Sequence, residues 1–217
     1  MDSQFLILKF GSVMIKRQIF YSFIVNDCPK YDVGFIIDES GSLSHRQWEK
    51  EKTFVKNVAQ LINIKRNEGR GAVVTFNHES SLDIEFSDND DYDSFTRAVN
   101  GLRQDNGWTD IIGALEEGLD EMFQTKNGMR PESEKLAFLI TDGQSNRGKT
   151  ADYYYDEMKE RYQDKNIRLF VIGIGNVDQD KLLRLVDDPN DFIYIDNFDN
   201  LDDVLVKSVG QSICTGK

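Results

Sequence analysis

The 217-residue chain is long enough to bury one domain of about 180 residues with a short appendage, and too short for two such domains. Hydrophobic residues make up 39% and aromatic residues 11%, and the low counts of 3 Pro and 16 Gly exclude a collagenous or disordered chain. With 38 acidic against 26 basic residues the net charge is -12, so phosphate repulsion sets duplex nucleic acid aside as a partner, and cations or basic surfaces are favoured.

Residues 1–27 stand apart at the start of the chain. Phe5–Phe10 and Ile19–Val25 are apolar, but Lys9, Lys16, Arg17 and Gln18 interrupt them, and no run reaches the ~20 residues of a membrane helix. The basic flank before Ile19 is that of a secretion signal, yet its apolar stretch is short and no small-x-small cleavage site follows. This segment is placed outside the fold, as an atypical signal or a linker.

From Tyr31 onward short β-rich runs alternate with helical patterns, which predicts a mainly parallel sheet covered on both faces. A first strand is read over Asp32–Ile37. The capping box Ser44-His45-Arg46-Gln47 then opens a helix with Trp48, Phe54, Val55, Val58, Leu61 and Ile62 on one face. Strands follow over Gly71–Phe76 and Ser80–Phe86, too close together for a crossover helix, so the second must run antiparallel.

Asp88–Leu102 reads as an acidic-fronted helix, and Ile112, Leu115, Leu119, Met122 and Phe123 mark another at helical spacing. Next come strand Leu136–Thr141, helix Thr150–Gln163, strand Ile167–Gly173, a short helix over Lys181–Val186 and strand Phe192–Ile195. A last helix carries Leu201, Val204, Leu205 and Val209. The expectation is a doubly wound α/β fold: a six-stranded, mainly parallel sheet with one antiparallel edge strand and helices on both faces.

In open parallel sheets ligands bind beyond the carboxyl ends of the strands. Asp38 ends the first apolar run and begins Asp38-Glu39-Ser40-Gly41-Ser42, Asp142 follows the run Leu136–Thr141, and Thr109 follows the loop Asp105-Asn106-Gly107-Trp108 just before a helix. Asp38, Ser40, Ser42, Thr109 and Asp142 thus offer five oxygen ligands for one hard cation. Two carboxylates and three hydroxyls suit magnesium or manganese, with calcium admissible, better than zinc, which prefers nitrogen and sulfur. His45 and His78 are not spaced as a zinc pair. Trp108, a large aromatic beside Thr109, is a candidate partner contact or a packing residue of the loop.

The Asp-x-Ser-x-Ser, Thr, Asp order resembles the metal-ion-dependent adhesion site of the von Willebrand factor A domain family. Thr109-Asp110-Ile111-Ile112-Gly113-Ala114-Leu115 and Ile140-Thr141-Asp142-Gly143 are similar to further motifs of that family, and Tyr31–Ile213 fits its layout. The resemblance implies a Rossmann-like domain over residues 28–214. Ser40, Ser42 and Thr109 would bind the ion directly and Asp38 and Asp142 largely through water. A partner's glutamate or aspartate would fill the sixth position.

The same resemblance implies an extracellular, secreted adhesion or matrix module that is not an enzyme. Its partner would be a matrix or cell-surface protein such as collagen. Cys28 and Cys214, the only cysteines, lie just outside the two ends of the regular pattern, either as a clasp or as two free thiols. Family members often carry a terminal disulfide, which implies the clasp and an oxidising compartment; such a bridge would stabilise by roughly 4 to 5 kcal/mol on the chain-entropy model.

Three other readings compete. Gly143-Gln144-Ser145-Asn146-Arg147-Gly148-Lys149-Thr150 matches the phosphate-binding P-loop pattern in full, after a strand and before a helix. As an NTPase, however, the chain would hold Asp142 close to bound phosphates and leave Ser40, Ser42 and Thr109 without a role. Asp88–Asp93 has the look of a calcium loop but lacks its glycine and its bidentate glutamate. A structural component of an acidic, mineralising matrix, with surface acids collecting calcium, is the remaining alternative.

Overall fold

The computed structural model describes residues 29–65 and 68–201. Among these, β1 (Tyr31–Asp38), α1 (His45–Leu61), β2 (Arg70–Phe76), β3 (Ser80–Ile84), α2 (Tyr92–Gly101), α3 (Ile111–Glu117), β4 (Glu134–Thr141), α4 (Asp152–Asp164), β5 (Ile167–Ile174), α5 (Gln179–Leu183) and β6 (Phe192–Ile195) follow in order. The strands form one six-stranded sheet in the order β3-β2-β1-β4-β5-β6. Only the β2–β3 pairing is antiparallel. The doubly wound fold with one antiparallel edge strand is the one expected. Cys28, Cys214 and all of the last predicted helix except Leu201 lie outside the described residues.

The central strands are apolar on both sides because helices cover both faces. Val33, Phe35 and Ile37 of β1 point into one cluster with Trp48, Phe54, Val55 and Val58 of α1, and the stacked rings of Phe35, Phe138 and Phe170 cross its middle. Ile36, Ala137, Leu139 and Val171 face the opposite way, onto Leu115, Leu119, Met122, Tyr155 and Tyr162. Gly34 belongs to this second face, where an added Cβ would lie 2.3 Å from Met122 Cε, so a larger residue would require the Met122 side chain to move. That turn is a π segment, Gly118–Met122, continuing α3, and the buried Tyr162 hydroxyl donates to the Leu115 carbonyl above it at 3.1 Å.

Helix starts follow local chemistry. Ser44 and Gln47 make the predicted capping box at α1, and Asp91 makes a second one with Ser94 at α2. The α2 helix therefore begins four residues later than the acidic run that precedes it: Asp88 accepts the Glu85 N–H at 2.8 Å and Asp91 is spent as the cap, so the acids shape a turn and a helix start. Likewise α4 begins at Asp152 with Ala151 as its N-cap, and Thr150 does not cap it. The third strand ends at Ile84, two residues short of the expected Phe86, which turns into the second cluster.

At the end of the sheet away from the strands' carboxyl termini, Asp32 is fully buried and held by Arg130. The Arg130 Nε and Nη2 groups donate to Asp32 Oδ1 at 2.9 and 2.6 Å, its backbone N–H donates to Oδ2, and Ser133 Oγ donates to Oδ2 at 2.7 Å. Every lone pair of the carboxylate that faces this corner is answered, which is the condition for keeping a charge in the interior.

Candidate metal centre

The register of the sheet brings the carboxyl ends of β1, β2 and β4 level. Asp38 is paired with Phe76, and Ile37 with Ile140, so Asp38 and Thr141 are neighbours across the ladder. Asp38 is completely buried; its Oδ1 accepts the Ser40 N–H at 2.9 Å and its Oδ2 accepts the Thr141 hydroxyl at 2.6 Å. The chain turns at Ser40-Gly41-Ser42, where the two serine hydroxyls lie 2.9 Å apart and Ser42 Oγ donates to Asp142 Oδ1 at 2.6 Å. Asp38, Ser40, Ser42 and Asp142 are thereby linked through short contacts across the ends of β1 and β4.

Thr109 arrives from a third direction and is buried. Its hydroxyl faces Gly143, where an added Cβ would sit 3.3 Å from Thr109 Oγ1, so the two loops meet closely at this glycine. Thr109 does not cap its helix: Asp110 does, accepting the Gly113 N–H at 3.0 Å. That leaves the Thr109 hydroxyl for the site. Trp108 is 60% exposed on the rim next to it.

The loop carrying Thr109 is fixed by residues that the spacing of the ligands did not mark. Glu39 accepts the Asp105 N–H at 3.1 Å and an Asn77 amide hydrogen at 3.2 Å, and Asn77 also donates to the Asp105 carbonyl at 2.8 Å. The Asp110 N–H donates to the Asn77 carbonyl, the Gly41 N–H to the Gly107 carbonyl, and Gln104 to the carbonyls of Ser40 and Leu43. Asn77 was legible in one respect, since it directly follows β2 on the same edge as Asp38 and Asp142. Thr141 stands one residue before Asp142.

The segment matching the P-loop pattern is committed elsewhere. The Asn146 and Arg147 N–H groups both donate to the Thr109 carbonyl at 3.0 and 3.2 Å, and Asn146 Oδ1 accepts the Thr109 N–H at 2.9 Å. A phosphate cradle needs those amides free and pointing at one centre. Lys149 bonds to Glu116 at 2.6 Å and lies over the Tyr154 ring, away from the loop backbone. The segment instead braces Thr109 against Asp142. Of the neighbouring tyrosines, Tyr155 is core while Tyr153 is exposed.

Among the described residues no Lys, Arg or His pairs with the carboxylates of Asp38, Glu39 or Asp142. Burial pushes the Asp38 carboxyl up to about 6, against the lowering effect of the Thr141 and Ser40 hydrogen bonds, with the nearby Asp142 raising it further. Asp142 is also raised by burial, and the buried Glu39, near Asp83, Asp105 and Asp38, is pushed up to about 7, chiefly by its burial. Among the described residues no group of three or more His, Cys, Asp and Glu side chains is placed to hold a metal. The donor set is instead made of hydroxyls with two carboxylates. Oxygen donors alone, converging from three loops onto two uncompensated carboxylates, fit a hard divalent cation.

Beside the site a groove is lined by Ser42, Gln47, Asp142, Asn146, Asn197 and Phe198, so two of the predicted ligands form one of its walls. No helix among the described residues is long and apolar enough to cross a membrane.

The chain is similar to known proteins. The chain is 28% identical over 193 residues to vitrin of Mus musculus, covering 85% of this chain and 27% of vitrin. It is 25% identical to the collagen alpha-1(XII) chain of Notophthalmus viridescens, covering 84% of this chain and 19% of that one. It is 27% identical to integrin alpha-X of Mus musculus, covering 82% of this chain and 16% of the integrin. The chain thus spans about a quarter or less of the length of these adhesion and matrix relatives. The solved structure of proximal thread matrix protein 1 from the mussel byssus, described with a zinc-occupied MIDAS motif, superposes with a TM-score of 0.76 at 20% identity, over 84% of this chain and 48% of that one. The model of the von Willebrand factor type A domain matches residues 32–207, and the chain belongs to that family.

Proposed function

We propose that this domain is a divalent-metal-dependent protein-binding module of an extracellular adhesion or matrix protein, and not an enzyme. The observation that carries this reading is the linkage of Ser40, Ser42, Asp142 and the buried Asp38 at the carboxyl edge, with Thr109 held against Gly143. Ser40, Ser42 and Thr109 would hold the ion directly, with Asp38 and Asp142 acting largely through water. The ion would supply an electrophilic point that accepts a carboxylate from a partner. The chain's own residues orient that point: Thr141 and the Ser40 N–H fix Asp38, and Glu39, Asn77 and Gln104 fix the loop of Thr109.

The partner is an acidic segment of a matrix or cell-surface protein, with collagen as one member of that class. Its glutamate or aspartate would approach beside Trp108, with neighbouring residues lying along the groove of Gln47, Asn146 and Asn197. Adhesion and matrix proteins among the relatives support this class. The relative with zinc at its MIDAS motif makes zinc a third ion to test beside magnesium and manganese, although the oxygen donors here suit the latter two.

Calorimetric titration with each ion, on the wild type and on Asp142→Ala, tests the reading. Saturable binding that is lost in the variant supports it. A folded wild type that takes up none of the three ions would overturn it. ATP run in parallel addresses the P-loop resemblance, and nucleotide binding abolished by Lys149→Ala would move the assignment to that segment.

A further inference from the structure

One buried charge belongs to none of the networks described above. Glu51 lies on the core side of α1, in line with Trp48, Phe54, Val55 and Val58, and is completely buried. Neither of its carboxylate oxygens has a hydrogen-bond partner among the described residues. Its neighbour Lys52 does not serve it, since that ammonium pairs with Glu49 at 2.7 Å. A carboxyl group left in this state opposes folding, and an apolar residue of similar size would pack the same space without that cost.

The direction of the side chain indicates what the group could serve. Glu51 is six residues into a helix that starts at His45, on the order of 9 Å along the axis. Helical side chains lean back toward the N-terminus and cover the preceding turn. The N-terminus of α1 is where the Asp38–Ser42 loop runs into the helix. The charges acting on Glu51 are those of Asp38 and Asp142, which add to burial in holding its carboxyl well above the usual range. The three acids do not form a ligating trio, so contact with an ion would pass through water.

We propose that Glu51 is an inner, water-mediated carboxylate of the cation site, holding a water on the core side of the ion whose outer side faces the partner. The inference rests on the cation reading above and extends it to a residue outside the ligand set. It accounts for an ionisable group on a face that otherwise carries Trp, Phe and Val. The two sides of the ion then differ: the core side is closed by a fixed acid and its water, and the outer side exchanges.

Two variants test it with manganese as the probe. Glu51→Met keeps the volume and removes both the charge and the water contact. It is expected to unfold at higher denaturant concentration in EDTA, yet to bind manganese 10- to 100-fold more weakly, the range typical of lost outer contacts to a metal site. Glu51→Gln, which can still hold a water, is expected to fall between Met and the wild type. Water-proton relaxation of the bound manganese gives a second readout, because loss of an ordered inner water alters exchange. Met and wild type binding manganese equally would overturn the proposal while leaving the cation site intact. Failure of the wild type to bind would strike the site itself, and this inference with it.

Discussion

Replacing Asp38 by Asn should make the metal-free protein more stable at neutral pH, although it removes a central residue of the site. The folded chain holds the Asp38 proton more tightly than the unfolded chain, with the carboxyl moved from 3.8 to about 6 by complete burial. Stability attributable to this group is therefore full in acid and lost as pH rises from ~4 to ~6. At ~1.4 kcal/mol per pH unit, the loss amounts to about 1.5 kcal/mol at pH 5 and about 3 kcal/mol at pH 8.

Asparagine keeps both contacts. Its carbonyl can accept the Ser40 N–H and its amide can donate to Thr141 Oγ, which presently donates to Oδ2. Urea unfolding in EDTA should show the variant and the wild type close together at pH 4 and separated by about 3 kcal/mol at pH 8, the variant being the more stable. With magnesium at about 1,000 times the dissociation constant the order should reverse, because only the wild type gains binding free energy, about 4.1 kcal/mol against a gap of about 3 kcal/mol. A gap in EDTA that does not change with pH, or a variant less stable at pH 8, would refute the view that Asp38 is an uncompensated charge.

Other perturbations address the frame around the site. Arg130→Met leaves the buried Asp32 without its cation and should cost about 3 kcal/mol in denaturant unfolding; a cost below about 1 kcal/mol would show that Ser133 and the backbone suffice. Gly148→Ala forces a left-handed backbone of φ +65 on an alanine and places its Cβ 2.1 Å from Asp110 Oδ2. A loss of about 1 to 3 kcal/mol and weaker manganese binding are expected, since Asp110 caps the helix behind Thr109. Trp108→Ala should leave metal titration unchanged while weakening partner capture, and equal capture by both proteins would assign Trp108 to the loop alone.

The sheet was legible because its strands are buried on both faces and read as unbroken apolar runs, with helices at 3.6-residue spacing between them. The elements that shifted did so where a residue took a more specific part: Asp91 moved the start of α2 by acting as its cap, and the apolar Phe86 left β3 for the second cluster. The order Asp38, Ser40, Ser42, Thr109, Asp142 could be found because strand ends in a parallel sheet share one edge. The burial of Glu51 could not, since a carboxylate on a helix reads as solvent-facing even when it falls in line with Trp48, Val55 and Val58. The pairing of Asp32 with Arg130 spans 98 positions, and nothing local in either segment points to the other.

Glu39 carries a consequence for redesign. One carboxylate joins the turn after β1, through its own backbone, to Asn77 after β2 and to Asp105 in the loop that delivers Thr109. The three loops are therefore not interchangeable cassettes. Grafting the Asp105–Trp108 stretch of a relative onto this scaffold, to borrow its ligand preference, would strand Glu39 and Asn77 with donors and acceptors made for another backbone. Transplants that carry positions 39 and 77 along with the loop should retain their shape, and the interlock gives protein engineers the smallest unit that can be moved intact.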